Sequence, residues 1–165
     1  MKKVKLIIII IAIVTIITSN VYAYNTQNIK ETSEKLNIKY ENISVKSSKK
    51  YDINLIDNNI DFECYLAIPG EYFEFTVDII NTSKYNAKID SIEKTTLSTN
   101  EKRYLRYLVT YSDNSIIKKN DKILNNQKIT IKVRVEYKLD IEKEDLPQND
   151  QNINLFLNIN FIEDY

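Results

Sequence analysis

Histidine and tryptophan are absent from this 165-residue chain, and cysteine occurs once, at Cys64. Without an imidazole the chain cannot build a Ser-His-Asp or Cys-His nucleophilic centre, an HExxH zinc helix, or a histidine base working near neutral pH. One thiol excludes an intramolecular disulfide and a cysteine-rich metal cluster. Net charge is equally scarce, because 23 basic and 23 acidic side chains balance to zero. That balance offers nucleic acid no basic face, and no run of one sign suggests a charged tail. No motif names a catalytic, cofactor-binding or metal-ligating residue, and the chain is read as a non-enzyme without cofactor.

What is present begins with an export signal. Lys2, Lys3 and Lys5 precede the uncharged run 6–17, and Val21-Tyr22-Ala23 places modest side chains where a signal peptidase reads. This is the pattern of a secretory signal peptide over residues 1–23. The stretch 6–17, apolar except at Thr15, is 12 residues long, whereas a spanning helix needs about 20. Cleavage is therefore expected over retention as an anchor, with no stable membrane attachment afterwards. The product is secreted or extracellular, with association at the cell surface as one outcome. Loss of three lysines leaves 20 basic against 23 acidic groups, a mildly acidic product. Residues 24–35 are polar and without apolar periodicity, and read as a flexible leader to a single domain over 36–165.

From Leu36 onward the hydrophobic period is two. Leu36, Ile38 and Tyr40 alternate with Asn37 and Lys39, and Ile43 and Val45 resume after a bulge or turn. In 60–68, Ile60, Phe62, Cys64, Leu66 and Ile68 share one face, and Pro69-Gly70 stops the strand. Phe73, Phe75, Val77 and Ile79 follow as a buried set, with Glu74, Thr76 and Asp78 expected to face water. A two-residue connection at Pro69-Gly70 would pair Leu66 with Phe73 and Cys64 with Phe75. The register supports such a hairpin, while the turn chemistry favours a wider turn or kink.

Residues 81–86 read as a polar loop and 87–92 as a strand crossing into a second layer. Ser98-Thr99-Asn100-Glu101 matches a capping box opening one or two helical turns. Strand character returns over 104–111, ends at the turn Ser112-Asp113-Asn114-Ser115, and is cleanest over 128–138. The last strand sets Ile153, Leu155, Leu157, Ile159 and Phe161 against Asn152, Asn154, Asn158 and Asn160. Seven or eight strands with one short helix predict an all-β fold, an antiparallel two-sheet β-sandwich of Ig-like or jelly-roll-like type.

The segment Pro69-Gly70-Glu71, followed by Phe75-Thr76-Val77-Asp78-Ile79-Ile80-Asn81, resembles secreted sandwich domains of Gram-positive bacteria, above all the TasA and camelysin family. There a Pro-Gly-acidic turn leads an alternating strand that ends on Asn, behind a signal peptide. The later pieces 105–113 and 128–138, and Asp145-Leu146-Pro147 before a final strand, are similar in order to exported proteins of such bacteria. The resemblance would extend from Leu36 to the C-terminus. The glycine that often follows the strand-ending Asn is replaced here by Thr82 and Ser83. The resemblance implies an extracellular matrix, biofilm or fibre protein. The metallopeptidase label attached to camelysin does not transfer, since the chain supplies no recognisable catalytic zinc site.

Other features have bland and functional readings. Glu142, Glu144, Asp145, Asn149 and Asp150 are oxygen donors for calcium or a solvated acidic loop; lacking EF-hand spacing, they read as the loop. Paired carboxylates alone support glycoside hydrolysis, but no motif locates a pair. Cys64, on the apolar face of its strand, reads as a buried inert thiol. Tyr65, Tyr72, Tyr104 and Tyr107, among 12 tyrosines, are candidates for an exposed patch that binds glycan or protein in a monomeric module. Asn42-Ile43-Ser44 and Asn81-Thr82-Ser83 match the glycosylation pattern and read as idle. The leading expectation is association: 24–45 adds as a strand to a neighbouring copy, or the domain docks on another cell-surface protein.

Overall fold

The computed structural model describes residues 36–47, 50–147 and 151–164. The expected signal peptide and leader, and Asn149 and Asp150 of the acidic loop, lie outside the described residues. The described residues form nine strands: β1 (Ile38–Lys46), β2 (Tyr51–Ile56), β3 (Asn59–Leu66), β4 (Tyr72–Asn81), β5 (Ala87–Lys94), β6 (Leu105–Tyr111), β7 (Lys122–Ile123), β8 (Lys128–Tyr137) and β9 (Gln151–Glu163). They form two antiparallel sheets, in the orders β1-β4-β8-β6 and β2-β3-β9-β5-β7. Among the described residues the helical content is one turn, α1 (Glu101–Tyr104), and a 3-10 turn at Lys143–Asp145. The fold is the expected all-β two-sheet sandwich.

Alternation places every second side chain of the long strands between the sheets. Ile60, Phe62, Cys64 and Leu66 of β3 and Ile153, Leu155, Leu157 and Ile159 of β9 are buried on one side. Phe73, Phe75, Val77 and Ile79 of β4, and Ile131, Val133 and Val135 of β8, meet them from the other. The layers interlock through Phe62, whose ring centroid lies 5.1 Å from Phe75 in an edge-on contact and 5.8 Å from Tyr107. Each such side chain contributes about 1.5–3 kcal/mol by leaving water, which outweighs any single surface ion pair.

The expected pairing of Leu66 with Phe73 does not form. β3 pairs with β2 and β9, whereas β4 pairs with β1 and β8, so the chain changes sheet at Pro69-Gly70. The two apolar rows face each other across the core instead of lying side by side. Gly70 turns the chain with φ of +89°, a region open to glycine, and its amide donates to the Tyr137 carbonyl at 2.8 Å. The Glu71 carboxylate accepts from the amides of Ala67 and Ile68, at 2.6 and 3.2 Å, and braces the corner. The kink that the turn chemistry favours is present. Among the described strands only β2 and β3 are consecutive in one sheet, and every other connection joins strands of different layers.

Three further differences follow from context. β2 carries only Ile53 and Leu55 as half-buried residues and escapes notice as a pattern, yet pairs with β3 through the Asp57-Asn58 turn. Asp57 has φ of +53° there, as primed hairpin turns require at their first central position. Glu74 and Asp78, expected to face water, are 8% and 9% exposed because neighbouring cations cover them. The capping box forms as expected: the Glu101 amide donates to Ser98 Oγ at 3.2 Å and the Ser98 amide to the Glu101 carboxylate at 2.7 Å.

Candidate functional site: the free strand edges

A sheet edge exposes backbone donors and acceptors that a further strand can use. In this sandwich the edges differ in how they are closed. At β6, Lys94 Nζ donates to the Tyr107 carbonyl at 3.3 Å, and a bridge between Thr110 and Ile116 lays returning chain along the strand. At β5, β7 pairs with Ala87 and Lys88, and Ile89 exchanges backbone hydrogen bonds with Asn120 and Asp121 at 2.8 and 2.9 Å. Among the described residues β1 and β2 each have one strand neighbour, β4 and β3 respectively.

β1 is the better-anchored of these two. Ile38, Tyr40, Ile43 and Val45 are half-buried and pack on the core, and Tyr40 Oη donates to the Ile159 carbonyl of the opposite sheet at 2.9 Å. Burial raises the Tyr40 phenol well above its usual range. The register on β4 shifts between Glu41 and Ser44, where Asn42 adopts φ of +53°. This is the bulge expected after Tyr40, and it bends the edge. Asn42 Nδ2 donates to Asp78 at 3.1 Å, while Lys128 Nζ and Thr130 Oγ1 reach the same carboxylate at 3.0 and 2.7 Å. Asp78 thus ties β1, β4 and β8 together, and these hydrogen bonds, Thr130 foremost, hold its pKa below the usual carboxylate range.

Farther along the same outer face, Arg134 bonds Glu74 and Glu136, each at 3.1 Å. Its guanidinium lies 3.8 Å from the centre of the Tyr72 ring. The buried acids of β4 are therefore spent on structure. Asp52 stands directly opposite Glu63 across β2 and β3, and both line an open depression of about 420 Å³ together with Asp61 and Asn154.

The four singled-out tyrosines form no common patch. Tyr107 is 7% exposed and donates its hydroxyl to the Phe156 carbonyl at 2.9 Å, which overturns its reading as a surface ring. Tyr104 packs on Tyr137 with centroids 5.8 Å apart. Tyr65 and Tyr72 belong to the outer faces of different sheets. Cys64 is buried, and desolvation pushes its thiol up to about 12, assisted by the charge of Glu63. Asp145 is paired with Arg103 at 2.7 Å, and among the described residues no three Cys, Asp or Glu side chains converge as a metal site. Asn81, the second glycosylation match, is fully buried.

Comparison with family models, with curated proteins and with solved structures found no match.

Proposed function

We propose that the protein is a non-enzymatic, secreted or cell-surface sandwich that works by association with further copies of itself through exchange of β1, as a matrix or fibre-type component like those of the TasA and camelysin family. The observation that supports this reading is the position of β1: an edge strand that among the described residues pairs with β4 alone, and whose apolar row fills a slot in the core. A strand so placed can leave its own β4 and occupy the same slot in a neighbour, with backbone pairing for affinity and alternate side chains for register. Its own slot is already filled, so exchange, not addition of a loose strand, is the mechanism. The bulge at Asn42 and the charges of Lys39, Glu41 and Lys46 disfavour unspecific pairing along the outer edge. A monomeric glycan- or protein-binding module based on exposed tyrosines has less support, since its rings are dispersed.

The test locks the strand. Lys39 and Ile80 are register partners across β1 and β4, so a Lys39→Cys/Ile80→Cys variant, oxidised, holds β1 on its own domain. The wild type and the reduced variant should form oligomers by light scattering, and the oxidised variant should remain monomeric. Equal assembly of the oxidised form, or a wild type that stays monomeric, would overturn the reading.

A further inference from the structure

An open cleft of about 390 Å³ lies between the segment that follows β5 and the strand β6. Four of its lining residues are cations, Lys94, Lys102, Arg106 and Lys138, and none is a carboxylate. They come from four places in the chain: the end of β5, α1, β6, and the residue after β8. The neutral overall balance conceals this gathering, which only the crossing connections of the sandwich produce.

The cleft keeps donors in reserve. Lys138 Nζ caps the end of α1 by donating to the carbonyls of Lys102 and Arg103, leaving one of its three protons free. Lys94 Nζ is 5.0 Å from the centre of the Tyr107 ring and donates to one carbonyl, which leaves two protons free. Shielding of this amine lowers its pKa, and no carboxylate offsets the loss of water. Arg106 reaches Glu136 only at 3.7 Å, and no ion pair or hydrogen bond of the Lys102 amine is present among the described residues. Elsewhere on the molecule the arrangement is different, since Arg134, Lys128, Lys122 and Arg103 all have a carboxylate at 3.1 Å or less.

We infer that this cleft is a binding site for a compact ligand with closely spaced phosphate groups. Four converging cations, against which the described residues set only the Glu136 carboxylate at 3.7 Å from Arg106, match two or three neighbouring phosphates better than a single carboxylate. The one ring lining the cleft, Tyr107, is buried face-on to Lys94, so bases have nothing to stack on, and phosphate alone is recognised. The same chemistry occurs in a free oligophosphate and in an anionic lipid surface; the limited volume favours the former.

The experiment is calorimetric titration of the full chain with inorganic tripolyphosphate, with co-sedimentation on phosphatidylglycerol vesicles as a second arm. Saturable one-to-one binding of tripolyphosphate is expected, weakened at least tenfold by Lys94→Met and by Lys102→Met. The remote Lys39→Met should leave it unchanged. Lys102 is exposed and its amine has no partner among the described residues, so that variant stays folded, which circular dichroism checks. Vesicle binding lost in the same two variants assigns the phosphate site to a lipid surface. Absence of saturable binding in both arms, or equal weakening by Lys39→Met, would overturn the site in favour of diffuse attraction.

Discussion

Asn42 Nδ2 donates to the Asp78 carboxylate at 3.1 Å, so the bulged residue of the first strand is fastened to the strand beside it. Because Lys128 and Thr130 hold the same carboxylate, the edge strand is tied to two inner strands at one point. Asp78→Asn keeps the shape but removes the charge and puts an amide against the Lys128 ammonium. Hydrogen bonds to a charged group are each worth about 1.5–3 kcal/mol, and we expect a loss of that order in urea denaturation. Hydrogen exchange in β1 should rise more than in β9. Uniform exchange across both strands would show that Asp78 does not specifically hold the edge.

The same carboxylate gives stability a pH dependence of defined sign. Its folded pKa lies below the unfolded value, so the unfolded chain binds more protons as the medium becomes acidic. The contribution is complete above the ordinary aspartate range and is lost as pH falls through the folded pKa. Between about pH 5 and pH 3, wild-type stability should fall more steeply than that of Asp78→Asn. Parallel profiles would remove Asp78 from the acid response.

Gly70 makes the crossing between sheets with φ of +89°, and a Cβ there would stand 2.9 Å from Leu139 Cδ2. Leu139 is 75% exposed and can swing aside, so backbone strain decides the outcome. Gly70→Ala should cost about 1–2 kcal/mol, and adding Leu139→Ala should not restore it. Full rescue by the second change would make the contact, not φ, the cause.

Strand existence was legible wherever apolar side chains alternated over eight residues or more, as in 128–138, because one dry face imposes that period. Partner choice was not. Phe73 and Leu66 fit a hairpin register as well as they fit opposite walls of one core, and alternation cannot distinguish the two. Tyr107 shows the same limit: parity gave its face only once β6 was paired with β8, placing it opposite Val135. The cationic cleft left no local signal, since Lys94, Lys102, Arg106 and Lys138 converge through three changes of sheet.

Asn81 ends β4 in a fully buried position where its Nδ2 donates to the carbonyls of Tyr85 and Ile123 at 2.7 and 3.1 Å. Its Oδ1 accepts from the amide and hydroxyl of Ser83, at 3.1 and 2.5 Å. Asn81→Ala strands these groups at about 1–3 kcal/mol each. Asn81→Asp should be worse, because a carboxylate then faces carbonyl oxygens. Urea midpoints should rank wild type, Ala, Asp in falling order; an Asp variant as stable as wild type would refute the donor role.

Cys64 reports on the opening of the whole core. Its side chain is 1% exposed, and burial raises its pKa to about 12, so thiolate is scarce at pH 8 and reagent has no path to it. A disulfide reagent should therefore leave the native protein unlabelled over the time in which an exposed thiol reacts fully. Labelling should follow the unfolding rate in increasing urea, and should quicken in Asp78→Asn only as far as that variant unfolds faster. If the native thiol reacts at the rate of a free cysteine without denaturant, the wall formed by β3 and β9 opens locally, and the closed core described by Phe62, Phe75 and Tyr107 is not the resting state.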